Sequence, residues 1–524
     1  MGERYRMTLA EVLDCLEMAE GEGFAHLVDE TGGPVFGGPY AQALLRTEIT
    51  DVTFDSRTVG RGALFVCKGA AFREHYLVAA ASDGATAYLA ESAHLGIGIP
   101  GIVVADVRRA MARVACAFFD DPSRRMHVVG ITGTKGKTTV AFYVDAILRA
   151  RTPRRPSGLL TGVVVDDGRT RAHARNTTPE SVELQRHLAC ACDAGCDVTV
   201  MEASSQGFKY DRTLGTRFAV GAFTNIGEDH VSPTEHPTFE DYFTSKLRIF
   251  SQSDAAVVNL ESAHAARILA TARSACPRVV TYALHDEAAD VRLANLERLS
   301  EGAWRLDVVV PGDRLALDFR ALGEFNVSNA LAAIAVAHAL GVASDAIVAG
   351  LADVRVPGRM ERYDAPDGSI VGIVDYAHNE MSMRALLMSA REDFPDRELT
   401  VLFGSCGTRG TDRRAGLGRA AGELADRIIL TEDDPGPVDV RAICEEIGVA
   451  VSAAGGTYEI VCDRPRAVRR ALEGAHRPAV VLLAGKGAES DILRAGGVER
   501  CDPDAKLLCE GLGIAFRGYE AALS

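Results

Sequence analysis

Seven residues, Gly133 to Thr139 (GTKGKTT), lie between the apolar string MHVVGI and the periodic stretch VAFYVDAILRA. Strand, glycine-rich turn and helix in that order make an anion cradle. Small residues let successive backbone N–H groups wrap a phosphate, and the helix N-terminus adds its partial positive charge. Gly133, Thr134, Lys135, Gly136, Lys137, Thr138 and Thr139 are therefore candidates for the phosphates of ATP, with Lys137 reaching the β- and γ-phosphates and Thr138 offering its hydroxyl to Mg²⁺. The spacing departs from GxxxxGK[ST], because Ile131 stands where the first glycine belongs, with Gly130 and Gly133 on either side. Two lysines around a glycine, directly after a buried strand, still call for an anion. Asp375 closes the apolar run SIVGIVD, a place where open α/β sheets bind ligands. Read singly, Glu202 in VTVME is a strand-end carboxylate, Lys246 in YFTSKLRIF a solvated helix lysine, and Asn329 a helix residue.

The elements that must position these groups divide the chain into three α/β segments, as 524 residues are too many for one ordinary core. Residues 1–124 mix short strands (ALFVC, TAYLAES, IVVAD) with helices and end at the polar break DDPSRR. Residues 125–353 alternate MHVVGI, VTVME, VGAFTNI and AAVVNLE with helical stretches, which predicts a parallel sheet covered on both faces. Residues 354–524 begin near a Pro-Gly break and supply SIVGIVDYA, LTVLFGS, RIILTED, YEIVC and AVVLLAGKG, a second doubly wound unit of Rossmann type. On the face of the central helix, Val140, Val144, Ile147 and Leu148 share one side.

An apolar fraction of 47% and a charged fraction of 25% are those of a soluble globular protein. The net charge of −15 argues against a nucleic-acid binder but leaves room for an anionic small substrate held by local arginines and lysines. The N-terminus lacks a signal-peptide core and no apolar run approaches bilayer length, so a cytoplasmic protein with no membrane partner is expected. Twelve scattered cysteines read as free thiols; Cys190, Cys192 and Cys196 lack the second ligand pair that a zinc site needs.

Several longer strings follow in order: DSRTVGRGALFV, TGTKGKTT, ARNTTPESVELQRHL, VMEASSQGFKYDR, FTNIGEDH, DYFTSKLRIF, LGEFNVSNALAA, VPGRMERYD, IVDYAH and LLAGKG. Together they resemble the Mur ligase family, over nearly the whole chain, and within it the tripeptide-forming branch. The resemblance implies an N-terminal UDP-sugar domain, a central ATPase domain and a C-terminal amino-acid domain that swings in on closure. ATP would activate the carboxylate of UDP-N-acetylmuramoyl-L-alanyl-D-glutamate as an acyl phosphate, which a free amino acid then attacks. Lys137, Glu202, His230, Lys246 and Asp375 would be catalytic. Thr138, Glu202, His230 and Lys246, the last as a carbamate, would serve Mg²⁺. Asn225, Asn329, Arg359, Asp375, Tyr376 and His378 would complete the ATP site. Phe54, Ser56 and Ala70, Ala71 and Phe72 would lie near the uracil. Asn176, Thr177, Thr178, Ser204, Tyr210 and Arg212 would meet the muramoyl dipeptide. Gln206 and Tyr210 depart from the family pattern, which has histidine and a smaller or amide residue at these places. A monomer is expected.

The amino acid depends on the third segment. Members that add meso-diaminopimelate carry DNPR, whose arginine grips the distal carboxylate; here the string is Asp433-Asp434-Pro435-Gly436. With Arg409, Asp433, Asp434, Gly485 and Glu489 around the amino acid, a substrate with a side-chain cation is expected, L-lysine before ornithine, with diaminopimelate still open. Other readings are a different amide ligase of the superfamily, an inactive ligase-like binder of nucleotide sugars, or a plain phosphate-loop kinase.

Overall fold

The computed structural model describes residues 5–21, 23–227, 232, 235–476 and 478–518. His230 lies outside the described residues. The chain groups into two compact units. The first holds residues up to Lys137, Arg151–Tyr282 and Ala335–Val342; the second holds Thr138–Ala150, Ala283–Ile334 and the chain from Ala343.

In the first unit, a five-stranded sheet has the order Ala25–Val28, Gly101–Val104, Ala85–Ala90, Ala63–Val66, Asp51–Thr53. Its outer strand Ala25–Val28 is antiparallel and the rest are parallel. Helix Val107–Phe118 packs on it through Ala110, Met111, Val114 and Phe118, a stripe at helical spacing. Asp106 fixes its start by accepting from the N–H groups of Arg108 and Arg109.

A second run in this unit places the strand before the glycine loop, His127–Thr132, at its centre. Val198–Glu202, then Ser157–Leu160, flank it on one side; Phe218–Phe223, Ser253–Asn259 and Arg278–Ala283 follow on the other, all parallel. These strands are apolar along their length because both faces are covered. Their carboxyl ends present Thr132, Glu202 and Phe223 side by side, so the loops that follow share one edge.

The second unit contains an antiparallel meander, Val291–Ser300, Ala303–Val310 and Asp313–Phe319. Helical alternation was expected there; Glu301-Gly302 and Gly312 supply turns, and Asp313–Phe319 alternates buried and exposed residues at period two. Its six-stranded sheet runs Glu361–Asp364, Ile370–Asp375, Ala479–Ala484, Glu398–Phe403, Arg427–Leu430, Tyr458–Ile460. All but the first strand are parallel, and the chain order reverses around Ala479–Ala484. Such a switch point opens a crevice beyond the carboxyl ends of the strands. The fold is the expected α/β class. No helix among the described residues is long and apolar enough to cross a membrane.

One buried ion pair anchors that crevice from below. Arg464 donates to both oxygens of Asp504 at 2.7 and 2.6 Å and to the carbonyls of Glu432 and Ala484 at 3.0 Å each. Both partners are nearly inaccessible, Arg464 at 4% and Asp504 at 1%. Asp504→Ala should therefore strand a buried guanidinium and cost about 3–5 kcal/mol, seen as a lowered melting temperature. Replacing both residues by apolar ones of similar volume should recover most of that loss.

Candidate active site

The glycine loop is held from several sides. Thr134 N–H donates to the Asn225 carbonyl at 2.9 Å, and Lys135 N–H donates to Asn225 Oδ1 at 2.9 Å. Asn225 Nδ2 returns a bond to the Lys135 carbonyl at 3.1 Å, and the Thr224 hydroxyl donates there at 2.8 Å. Gly133 has φ +149°, and a Cβ there would lie 2.0 Å from Thr224 Oγ1. A glycine is thus required by both backbone conformation and space.

Two lysines converge on this loop. Lys137 Nζ donates to the Gly133 carbonyl at 2.9 Å and the Thr134 carbonyl at 3.2 Å. Lys246 Nζ donates to the same Gly133 carbonyl at 2.8 Å. Lys246 occupies the last turn of helix Phe239–Leu247 and is only 2% exposed, with its ammonium 4.7 Å from the centre of the Tyr242 ring. The solvated lysine that its sequence alone suggests is in fact a core residue. Thr138 is buried in the first turn of helix Lys137–Arg149.

Beside the loop, Glu202 ends its strand at 2% exposure and accepts from Gly162 N–H at 2.9 Å. Its own carbonyl accepts from the Thr178 hydroxyl at 2.9 Å. Ser204 N–H donates to Thr178 Oγ1, and Ser204 Oγ caps helix Ser205–Lys209 by accepting from Gly207 N–H at 3.0 Å. Arg212 donates to the Thr178 carbonyl at 3.1 Å. Thr177 is half-buried and Asn176 exposed on the same turn.

Arg212 also pairs with Glu180, a residue to which the sequence reading gave no role. Glu180 lies 2.9 Å from Arg212, 2.7 Å from Lys68 and 3.8 Å from Arg108. Burial pushes its carboxyl up, but Arg212, Lys68 and Arg108 together hold it below the usual range. Burial lowers Lys68 despite its bond to Glu180. Three cations against one carboxylate leave a local excess of positive charge, on a chain that is acidic overall. Lys68 caps the Phe54 ring at 4.1 Å, and Arg108 stacks on Tyr210 at 4.8 Å. Phe54 thus joins the group, whereas Ser56 sits in the short turn Ser56–Thr58. Ala70 and Ala71 are exposed, and Phe72 packs edge-on against His94 at 5.6 Å.

In the second unit, the crevice gathers the residues expected for the third segment. Lys486, 2% exposed, lies 4.0 Å from Asp433, 3.5 Å from Asp434 and 3.4 Å from Glu489. Arg409 reaches Asp434 at 3.2 Å. Burial pushes the carboxyls of Asp433 and Glu489 up, although Lys486 opposes it. Gly485 stands against Asp433, and Cys406 belongs to the same cluster.

The Asp375 carboxylate accepts from Met360 N–H at 2.8 Å and so fixes the turn bearing Arg359. The Arg359 guanidinium covers the Tyr376 ring at 4.4 Å. His378 Nδ1 donates to the Tyr376 carbonyl at 2.8 Å, so its other nitrogen carries the acceptor lone pair when the ring is neutral. Asn329 donates to Asn326 Oδ1 at 3.0 Å inside helix Glu324–Ala339.

A parallel sheet with a lysine-lined glycine loop and a second doubly wound sheet define a nucleotide-using enzyme of two α/β modules. Family models match as the Mur ligase middle domain over residues 131–337 and as the Mur ligase, glutamate ligase domain over 358–487. The UDP-N-acetylmuramoyl-L-alanyl-D-glutamate--L-lysine ligase of Enterococcus faecalis is 38% identical over 454 residues, covering 86% of this chain and 89% of its own. The UDP-N-acetylmuramyl-tripeptide synthetase of Bifidobacterium longum is 36% identical, covering 84% of this chain and 87% of its own. A solved UDP-N-acetylmuramoyl-L-alanyl-D-glutamate--2,6-diaminopimelate ligase is 26% identical, with TM-score 0.63, covering 93% of this chain and 99% of that one. The chain belongs to the Mur ligase family, and it is an ATP-dependent ligase that forms amide bonds.

Gly133→Ala should displace the loop against Thr224 and lower ATP-dependent phosphate release by about 100-fold, the scale of a 1 Å misplacement at a reacting centre. Thr224→Ala in the same chain should recover part of the loss by removing the obstructing hydroxyl. Phosphate release and circular dichroism together check both.

Proposed function

We propose that the chain adds L-lysine to UDP-N-acetylmuramoyl-L-alanyl-D-glutamate, as a monomer, in the cytoplasmic assembly of peptidoglycan precursors. The three expected domains, with boundaries near residues 124 and 353, would bind the UDP-sugar, ATP and the amino acid in turn. The observation that carries the choice of amino acid is the acidic crevice. Asp433, Asp434 and Glu489 outnumber Lys486 and Arg409 there. A second ammonium relieves that imbalance, and burial has already raised two of the carboxyls. Gly436 stands where a diaminopimelate-adding enzyme would need an arginine for the distal carboxylate. The 38% identity to a relative named as lysine-adding supports the same choice.

In the proposed reaction the γ-phosphoryl group moves to the acceptor carboxylate and ADP departs. The amine then attacks the acyl carbon, loses a proton, and phosphate leaves. Charge stabilisation is the main requirement of the first step. The loop N–H groups and Lys137 are suited to the polyphosphate, and Arg212, Lys68 and Arg108 to the anionic acceptor. Asp433 or Glu489 is suited to the entering ammonium. Glu202 and Thr138 are hard oxygen donors of the kind Mg²⁺ requires. Bound there, Mg²⁺ would neutralise phosphate charge and orient its oxygens.

Lys246 is proposed to carry a carbamate: its neutral amine attacks CO₂, an N–C bond forms and a proton is released. Two ammonium groups on one carbonyl repel each other, and this exchange converts one into an anionic oxygen donor for the metal.

With L-lysine, L-ornithine and meso-diaminopimelate in one assay, mass spectrometry of the product should find the lysine tripeptide dominant. A diaminopimelate product would overturn the choice. Labelled bicarbonate should appear on Lys246, and Lys246→Ala should lose on the order of 100-fold in turnover, the scale for removing one charge-stabilising group. A fully active Lys246→Ala enzyme that is indifferent to bicarbonate would remove the carbamate.

A further inference from the structure

His236 has no exposed surface, and it sits between two elements that the proposed reaction uses. Its Nδ1 lies 2.7 Å from Asp241 Oδ2, and its Nε2 lies 3.0 Å from Ser205 Oγ. A carboxylate accepts, so Nδ1 carries the proton and Nε2 accepts from the Ser205 hydroxyl. Burial lowers the imidazole's affinity for a second proton in spite of Asp241, which keeps this tautomer in place. Lys209 Nζ, at 2.8 Å, holds Asp241 from the other side.

The order Ser205–His236–Asp241 is that of a nucleophile, base and orienting acid. Here Ser205 is only 4% exposed and His236 fully enclosed, so the arrangement suits holding rather than attack. Its two ends lead to different substrates. On one side the His236 ring meets Tyr242 edge-on, with centroids 5.3 Å apart. Tyr242 Oη lies 3.0 Å from Thr134 Oγ1 in the glycine loop, and Thr134 Oγ1 also accepts from Gly227 N–H at 3.0 Å. On the other side Ser205 begins the helix capped by Ser204, which Thr178 ties to the Glu202 carbonyl and Arg212.

We propose that His236 is a positioning residue that couples the nucleotide loop to the acceptor turn, through Tyr242 and Thr134 on one side and Ser205 and Ser204 on the other. The role rests on the ligase reading above. Ordering the loop around a nucleotide fixes Tyr242, hence the imidazole, hence the helix that carries the acceptor contacts. Binding of either substrate then favours binding of the other by the same factor.

The test uses the full chain and equilibrium binding of a non-hydrolysable ATP analogue, with and without the UDP-N-acetylmuramoyl dipeptide. Wild type should bind the analogue at least about fivefold more tightly when the acceptor is present, within the usual range of coupling. Tyr242→Phe and Ser205→Ala, which remove one hydroxyl each, and His236→Asn should each bring that ratio to within about twofold of unity. The Tyr242→Phe/Ser205→Ala pair should lose no more than either single change. Wild-type coupling that survives in the folded single variants, or a wild-type ratio of one, overturns the relay. Turnover of wild type with ATP, acceptor and lysine tests the ligase reading separately, since the coupling ratio is read from binding alone.

Discussion

Lys137 and Lys246 both direct their ammonium groups at the carbonyl oxygen of Gly133, at 2.9 and 2.8 Å. Much of the first unit can be understood from that convergence. Lys137 reaches the Thr134 carbonyl as well, and Lys246 is almost wholly withdrawn from water, so two cations are gathered on one turn of backbone. The arrangement is suited to a site that receives several negative charges, and a nucleotide polyphosphate is such a ligand. It also explains the investment in bracing. Asn225 and Thr224 bind the loop backbone from the neighbouring strand end, and Tyr242 binds Thr134 from the helix that carries Lys246. A loop that concentrates positive charge must be held against its own repulsion.

The same reasoning, with signs reversed, describes the second unit. Its crevice places three carboxylates around one buried lysine. Both clusters lie beyond the carboxyl ends of parallel strands, where side chains from several loops meet without interrupting the sheet. Net charge says little about either. The chain carries −15 overall, yet Lys68, Arg108 and Arg212 surround Glu180 with an excess of positive charge. Partner preference resides in such local imbalances.

Several strands buried on both faces were readable in advance, though Ser157–Leu160, equally buried, was not. VTVME, LTVLFGS and AVVLLAGKG are continuous apolar runs, and each became a parallel strand. The glycine loop was readable because its chemistry is contiguous. The meander from Val291 to Phe319 was missed because its strands are half exposed and their charged residues blur the alternation. Glu180, Tyr242, Ser205 and His236 were missed for a different reason. Each acquires meaning only from a partner distant in sequence, as Tyr242 does from Thr134. Lys246 shows the limit from the opposite direction: its type and spacing alone read as solvent-facing, the family resemblance gave it a catalytic role, and the fold shows that its helix turns it inward.

One strained residue stands beside the second site rather than within its strands. Met360 is a non-glycine residue at φ +47°, a conformation that costs on the order of 1–3 kcal/mol when surrounding structure enforces it. Asp375 enforces it by accepting from Met360 N–H, and Gly358 makes room two residues earlier. A Cβ at Gly358 would lie 2.2 Å from Ala488 N, so the turn is pressed against the loop that bears Lys486 and Glu489. The consequence is mechanical. Arg359 is held over Tyr376 by the same carboxylate that ends the strand, while the adjoining loop sets the acidic crevice. A single strand terminus therefore fixes a cationic group on one side and borders an anionic pocket on the other. Asp375 achieves this as a hydrogen-bond acceptor for the backbone, which is why its value to the site lies in the turn it imposes as much as in its charge.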